Sequence, residues 1–514
     1  MELPPWSSLL GVVLFLVAVL LGRRRSTSSS KYKLPPGPRP WPVIGNLNLI
    51  GHLPHRSMHE LSTRYGPLMS LRFGSCPIVV GSSVDMAKFF LKTHDLAFLD
   101  RPAIATGRYI FYNYSDVLMA SYGPYWRQGR KLFQNELLSA GRMKSYPHRG
   151  GALHAAGDVV VGGGGIPHGG AVVVLKLKDH LSMATLNMVS RMALGNKYVF
   201  DGAGSLMPPE EFRWMMQEFF FLNGVVTVGD VIPWLSFLDP QGYIKRMKRL
   251  SKMFDAFLEH VLREHSDRRR RQGEGRFVPR DMVDQLLQLA DDASLEAPIE
   301  RDGIKGFILD IIAAGAETSA VAIEWALSEL LRNPEAMAKA TDELDRVVGG
   351  SRLVSEADMP CLPYLEAVVK ETLRVHPLAP LLVPRLSRED TSPAGTRVFV
   401  NVWAIARDPA VWGDAAEEFR PERFVGSTVD VKGHDLEFLP FGSGRRMCPG
   451  LGLGMKMVQL TLANLLHAFA WRLPDGVGVD DLSMEEKFGM SIPRAVPLEA
   501  VPEPKLPAHL YHGP

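Results

Sequence analysis

Cysteine is scarce. Cys76, Cys361 and Cys448 are the only three in 514 residues, too few for a disulfide framework in a chain of this length, which points to a reducing compartment. No CxxC or CxxCH occurs, so a cysteine zinc ribbon and a covalently attached c-type haem are unsupported, and any cysteine chemistry rests on a single thiolate. A charge excess of either sign is also missing. The 58 basic and 56 acidic side chains leave a formal net charge of +2, which gives no global reason to expect nucleic acid as a partner. Phosphate loops are absent too: there is no GxxxxGK[ST], and Gly450, Gly452 and Gly454 fall short of a dinucleotide fingerprint because Met455 and Lys456 follow. The chain therefore carries no NAD or FAD site of its own. With 46% apolar and 22% charged residues, the composition is that of a globular protein, not a disordered chain, a fibre or a polytopic membrane protein.

One apolar run stands out near the start. Leu9 to Leu21 reads LLGVVLFLVAVLL and, with Trp6 and Gly22 at its ends, approaches the roughly 20 residues that cross a bilayer. No basic cluster precedes it, whereas Arg23, Arg24 and Arg25 follow and would hold the succeeding chain on the cytosolic side. Residues 1–22 are read as a single-pass anchor; a cleaved signal would show the opposite charge order and a small-residue cleavage site. The stretch Leu34-Pro35-Pro36-Gly37-Pro38-Arg39-Pro40 makes 23–40 a basic, proline-stiffened hinge. Residues 41–514 are expected to form one catalytic domain. Amphipathic helical periodicity dominates there, as in Met207 to Asn223, Ile244 to Arg263 and Ala336 to Val348, while strand-like runs such as Pro77 to Gly81 are few. The expected class is mainly α with small β-sheets. Residues 147–174, rich in Gly, His and Val, show neither period and read as a flexible insertion or a scrambled helix.

The densest chemistry lies in Phe441-Gly442-Ser443-Gly444-Arg445-Arg446-Met447-Cys448-Pro449-Gly450, followed at once by a helical pattern from Leu451 to Ala468. A lone cysteine is usually a small buried hydrophobe. This one sits at a helix start, where the dipole favours a thiolate, with two arginines just before it. Gly444 permits a tight turn, and Gly450 would let a flat macrocycle approach the backbone. A cysteine thiolate is the axial ligand that pushes electron density onto haem iron.

The ten residues match FxxGxRxCxG, the haem-binding signature of the cytochrome P-450 superfamily, and further matches stand in order. Ala314-Gly315-Ala316-Glu317-Thr318-Ser319 resembles the oxygen-binding motif of the central helix, Glu371-Thr372-Leu373-Arg374 the ExxR motif, Pro421-Glu422-Arg423-Phe424 the PERF motif and Trp126-Arg127-Gln128-Gly129-Arg130 the WxxxR helix. The resemblance implies a single large haem-thiolate fold that binds haem b through Cys448. It also implies NADPH electrons delivered by a separate cytochrome P-450 reductase, and an endoplasmic-reticulum membrane location.

The same resemblance assigns roles. Phe441, Cys448 and Gly450 would hold the macrocycle. Trp126, Arg130, Arg385 and Arg446 would meet its propionates, guanidinium groups being suited to carboxylates. Ala314 would open a groove for dioxygen, with Glu317 and Thr318 as catalytic proton donors. Glu371, Arg374 and Arg423 are expected as a buried structural triad, not an exposed i, i+3 pair worth a few tenths of a kcal/mol. Arg127, Lys131 and Arg445 are candidates for a basic patch facing an acidic electron donor.

Phe307, Ile311, Ala314, Leu381, Leu382 and Val383 are all apolar and are expected to face the distal pocket, which favours a lipophilic small-molecule substrate. The wording at both ends of the chain is similar to plant microsomal members. It most resembles the plant homoterpene synthases, which cleave tertiary terpene alcohols, and next the flavonoid B-ring hydroxylases. Pro393-Ala394-Gly395 follows Thr391 and Ser392 directly, which would shorten a hairpin that walls the pocket. Together with the Gly-rich stretch, this leaves a haem-binding pseudoenzyme as the alternative of another class.

Overall fold

The computed structural model describes residues 34–139, 173–200, 204–273, 277–388 and 395–511, with a few isolated positions besides. The anchor expected at 1–22, nearly all of 147–174 and the run 389–394 lie outside the described residues, as does the hinge before residue 34.

Helices dominate. Those that shape the site are α1 (Pro54–Tyr65), α2 (Ala105–Tyr109), α3 (Pro124–Leu132), α4 (Leu177–Leu194), α5 (Pro209–Gly224), α6 (Tyr243–Gln272), α7 (Met282–Ala290), α8 (Arg301–Arg332), α9 (Pro334–Val348), α10 (Pro363–Val375) and α11 (Leu451–Ala468). The periodic segments read from the sequence correspond to α5, α6, α9 and α11. Among the described residues two small sheets complete the fold. One has strand order β1-β2-β5-β4, from β1 (Leu68–Phe73), β2 (Cys76–Gly81), β4 (Arg385–Leu386) and β5 (Arg397–Val400); the other has order β3-β7-β6, from β3 (Leu175–Lys176), β6 (Phe469–Arg472) and β7 (Glu499–Pro504). The β2–β5 pairing is parallel, with Ile78 opposite Arg397, whereas β1–β2 and β4–β5 are antiparallel.

The 32-residue α8 is the axis of the molecule. It is apolar nearly all round, as a helix buried on every side must be, and it packs against α4, α11 and α10. Among the described residues it is the one helix long and apolar enough to cross a membrane, but most of that stretch is buried in the core. Its apolarity therefore reflects tertiary packing.

Behind the site, Glu371 and Arg374 share one face of α10 and are fully buried. Arg374 Nε and Nη2 donate to the two Glu371 oxygens at 2.7 and 2.8 Å, and Arg423 Nε donates to the same carboxylate at 3.2 Å. Arg374 also donates to the carbonyls of Ala406, Ala416 and Glu418, while Glu371 accepts the Arg420 amide. A buried ion pair is stable only when its remaining hydrogen-bonding capacity is filled. Here backbone groups fill it, so the expected triad fastens the irregular chain that leads into the cysteine loop.

Candidate active site

The cysteine loop is shaped by glycine. Gly442 and Gly444 adopt φ of 71° and 72°, a region that L side chains enter at a cost of about 1–2 kcal/mol. At Gly444 a Cβ would also overlap the carbonyl oxygen of Leu91. The turn closes through Cys448 N–H donating to Phe441 O at 3.0 Å and Met447 N–H to Gly444 O at 3.1 Å. Gly450 then caps α11, and a Cβ there would sit 3.9 Å from Cys448 Sγ.

Cys448 is accessible to a water-sized sphere, yet protein surrounds it closely enough that burial raises its pKa. The two observations agree if the sulfur faces an internal cleft and not bulk solvent. Ala314 is likewise accessible, between buried Ala313 and Ala316 in the middle of α8. The Gly450 amide and Arg130 oppose the burial effect on the thiol. The neighbouring arginines do not, which corrects the sequence reading. Arg445 Nη1 is paired with Asp95 at 2.6 Å, and Arg446 donates to the carbonyls of Leu99, Val117 and Ala120 at 2.9, 3.3 and 2.7 Å.

Four guanidinium groups gather near this loop. Arg385 Nη2 donates to Ser443 O at 3.1 Å while its buried Nη1 has no partner. Arg101, not singled out from the sequence, donates to the carbonyls of Leu118, Val383 and Pro384. Burial pushes Arg385 down to about 10 and Arg446 down to about 9, and it holds Arg101 well below its usual value. Arg101 and Arg446 are each further depressed by other members of the cluster. Half-buried Arg130 feels Cys448 as its electrostatic partner. Among the described residues none of the four has an ion pair with a carboxylate. Buried charges left in this state call for an anion. A thiol on an internal cleft, beside cations with an unfilled N–H, fits a dicarboxylate macrocycle. The Trp126 indole N–H donates to Val117 O at 3.0 Å, and the Arg446 guanidinium lies over its ring at 4.3 Å.

Three of the carbonyls that orient this cluster, those of Val117, Leu118 and Ala120, lie in one segment, and two carboxylates hold amides of the same segment. Asp310 Oδ2, on α8, accepts the Val117 N–H at 2.8 Å, and Asp116 Oδ2 accepts the Met119 N–H at 2.8 Å. Burial raises Asp116 to about 7, and Asp310 is pushed up by burial and by Asp116 beside it.

On α8, Thr318 Oγ1 donates to Ala314 O at 2.5 Å and Ser319 Oγ to Gly315 O at 2.9 Å. Both hydroxyls therefore turn back on the helix beside the small residues. Glu317 is buried and faces α4, where Lys178 Nζ lies 2.9 Å from one oxygen and Ser182 Oγ 3.5 Å from the other. A cavity of about 10 Å³, enough for one water, adjoins it and is lined by Asp179, Ser182, Arg213 and Gln217.

A larger cavity of about 200 Å³ lies between α2, the end of α5 and the Ala379–Pro384 turn. Leu381, Leu382 and Val383 line it, whereas Ala314, expected in the same pocket, is not among its lining residues. Phe307 does not: it is fully buried and packs against Gly129, Phe133 and Tyr125. Ile311 is also buried in the core and does not line this cavity. A separate open groove beside the cysteine loop gathers Lys92, Arg127, Arg130, Lys131 and Arg445, with Asp95. Two of these cations are already paired, Arg127 with Glu296 and Arg445 with Asp95.

These features agree with the comparisons. Residues 35–497 match the Cytochrome P450 family, and the chain belongs to it. It is 50% identical to a dimethylnonatriene synthase of Zea mays, over 97% of this chain and 96% of the relative. It is also 50% identical to a trimethyltridecatetraene synthase of Zea mays, over 94% and 90%. A flavonoid 3'-monooxygenase of Petunia hybrida is 42% identical over 93% and 94%. A zebra fish cytochrome P450 solved with progesterone superposes with a TM-score of 0.72 at 27% identity, covering 88% of this chain and all of that one. The protein is accordingly a P450 monooxygenase whose cofactor is haem, bound to the enzyme by the Cys448 thiolate.

Proposed function

We propose that the enzyme uses reductase-delivered electrons and dioxygen to cleave a carbon–carbon bond of an acyclic tertiary terpene alcohol such as nerolidol, giving a homoterpene. The observation that carries this reading, beside the 50% identity to two homoterpene synthases, is the apolar lining of the 200 Å³ cavity. A flexible hydrocarbon with one hydroxyl suits such a lining. A flavonoid would bury several hydroxyls there, and each one left unpaired costs about 1–3 kcal/mol.

Haem, when bound, supplies dioxygen activation; the protein supplies position and protons. Cys448, Phe441 and Gly450 would hold one face of the macrocycle, with Arg101, Arg130, Arg385 and Arg446 toward its carboxylates and Trp126 supporting Arg446. Ala314 leaves space on the other face. Thr318 and Glu317 are assigned as the proton route: the Glu317 carboxylate borders a water-sized cavity, and the adjacent hydroxyl needs only a change of rotamer to leave Ala314 O.

The groove of Lys92, Arg127, Lys131 and Arg445 suits an acidic NADPH-cytochrome P450 reductase surface. Residues 1–22 as a membrane anchor, 23–40 as hinge and 41–514 as catalytic domain fit an endoplasmic-reticulum location. Exposed Trp234, Phe237 and Leu238 supply further apolar surface for a bilayer.

Microsomes containing the protein and a reductase, given NADPH and either nerolidol or naringenin, test the assignment by mass spectrometry. A volatile C11 product from nerolidol supports it. A hydroxylated flavonoid without the volatile replaces it with B-ring hydroxylation, and haem incorporation without turnover of either compound replaces it with a pseudoenzyme.

A further inference from the structure

Five buried hydroxyls lack a partner among the described residues: Ser82, Thr106, Tyr112, Thr461 and Ser491. Of these, Thr106 alone lines the 200 Å³ cavity. It is 2% exposed, and a buried hydroxyl without a partner forfeits about 1–3 kcal/mol. Thr185 and Thr372 avoid that loss by donating to the carbonyls of Leu181 and Val368, four residues earlier on their helices. Thr106 lacks this option. It stands in the first turn of α2, and the residue four before it, Pro102, precedes the helix.

The turn that carries Thr106 is also held firmly. Ala105 N–H donates to Asp230 Oδ1 at 2.8 Å, and Tyr114 Oη donates to Ile104 O at 2.9 Å. Tyr114 N–H reaches Gly107 O at 3.0 Å, and its ring occupies the space a side chain at residue 107 would need. Tyr112, Asn113 and Tyr114 all take positive φ, at 46°, 56° and 65°. Strain of this kind persists only where surrounding contacts enforce it.

The cavity's other polar side chains are engaged. Asp230 also accepts the Thr227 amide, His55 Nε2 meets Glu486, and Asn223 Nδ2 donates to Phe219 O. Arg397 Nη2 donates to Asp230 O.

We propose that the Thr106 hydroxyl is the hydrogen-bonding anchor for the single alcohol group of an acyclic lipophilic substrate, within a cavity that otherwise recognises only apolar shape. This rests on the terpene-alcohol reading above and adds the residue that selects the alcohol.

The test compares nerolidol with farnesene, the same skeleton without the hydroxyl, by equilibrium dialysis against the haem-loaded full chain. The variants are Thr106→Val, Thr106→Ala and Thr106→Ser. Thr106→Val and Thr106→Ala should each weaken nerolidol about tenfold, the value of one neutral hydrogen bond. Farnesene binding should stay within twofold of wild type, and Thr106→Ser should retain nerolidol. Equal losses for both ligands, no loss for nerolidol, or a Thr106→Ser loss as large as that of Thr106→Val would overturn the anchor. Thr106→Ser and Thr106→Ala keep the question open to decision should Thr106→Val fail to take up haem. Product formation is scored separately. A hydroxyl preference without cleavage removes the assigned reaction and leaves the anchor standing; cleavage without the preference does the reverse.

Discussion

The cysteine side of the molecule and the cavity side solve opposite problems. On the cysteine side, polar groups are buried and nearly all are answered by backbone: Glu371 and Arg374 fasten 406–423, and Arg101 and Arg446 are held by the carbonyls of 99, 117, 118, 120, 383 and 384. On the cavity side the lining is apolar and one hydroxyl, Thr106, goes unanswered. The first region fixes a cofactor in one geometry, which takes many directional bonds. The second admits a ligand, and what it leaves unpaired is what the ligand has to supply.

The largest expected effect falls on the cysteine side. Cys448→Ser should abolish the shifted Soret band of the reduced carbon monoxide complex together with all product, since serine does not supply a thiolate. Glu371→Ala comes next. It leaves Arg374 buried without its carboxylate, and such a loss costs about 3–5 kcal/mol; thermal melting and haem content should both collapse. Were the melting temperature unchanged, the triad would not be structural.

Arg385→Met should separate cofactor binding from folding. Its buried N–H is unsatisfied, so the haem-free protein should be as stable as wild type or more so, while haem dissociates faster, about tenfold, as read by transfer to apomyoglobin. Unchanged haem release would remove Arg385 from the propionate set.

The smallest effect concerns pH. The folded-state pKa of Asp116 is raised from 3.8 to about 7, so its contribution to stability is fully present below about pH 4 and is lost as pH rises through 7. Asp310, raised in the same sense, adds to this slope, while Arg101 and Arg446 oppose it for Asp116. Urea midpoints should fall between pH 5 and 8, and Asp116→Asn should flatten that dependence. An equally steep profile in the variant would sink the assignment.

Legibility in the sequence followed how local each role is. The cysteine loop, the Glu371/Arg374 pair and the helical segments could be read because the residues that define them are contiguous or share one helical period. Arg101, Asp116 and Asp310 could not, because their partners are backbone groups distant in the chain and no pattern marks a carbonyl as a future acceptor. Phe307 was misjudged for a related reason: an apolar residue on a helix buried all round has no periodicity to say which side faces a ligand, and the space left by Gly129 decided it. Arg445 and Arg446 were expected to charge the cysteine, but neighbours in sequence point elsewhere once the loop turns at Gly444.

By itself the order of amino acids determined the class of chemistry, since one cysteine in a glycine-shaped loop before a helix, with its ordered companion motifs, is a local and nearly complete specification. The tertiary structure alone decided which cations approach the sulfur, which carboxylates hold the 117–120 segment and which hydroxyl the cavity leaves unpaired. Those are outcomes of burial, and burial is a property of the packed whole.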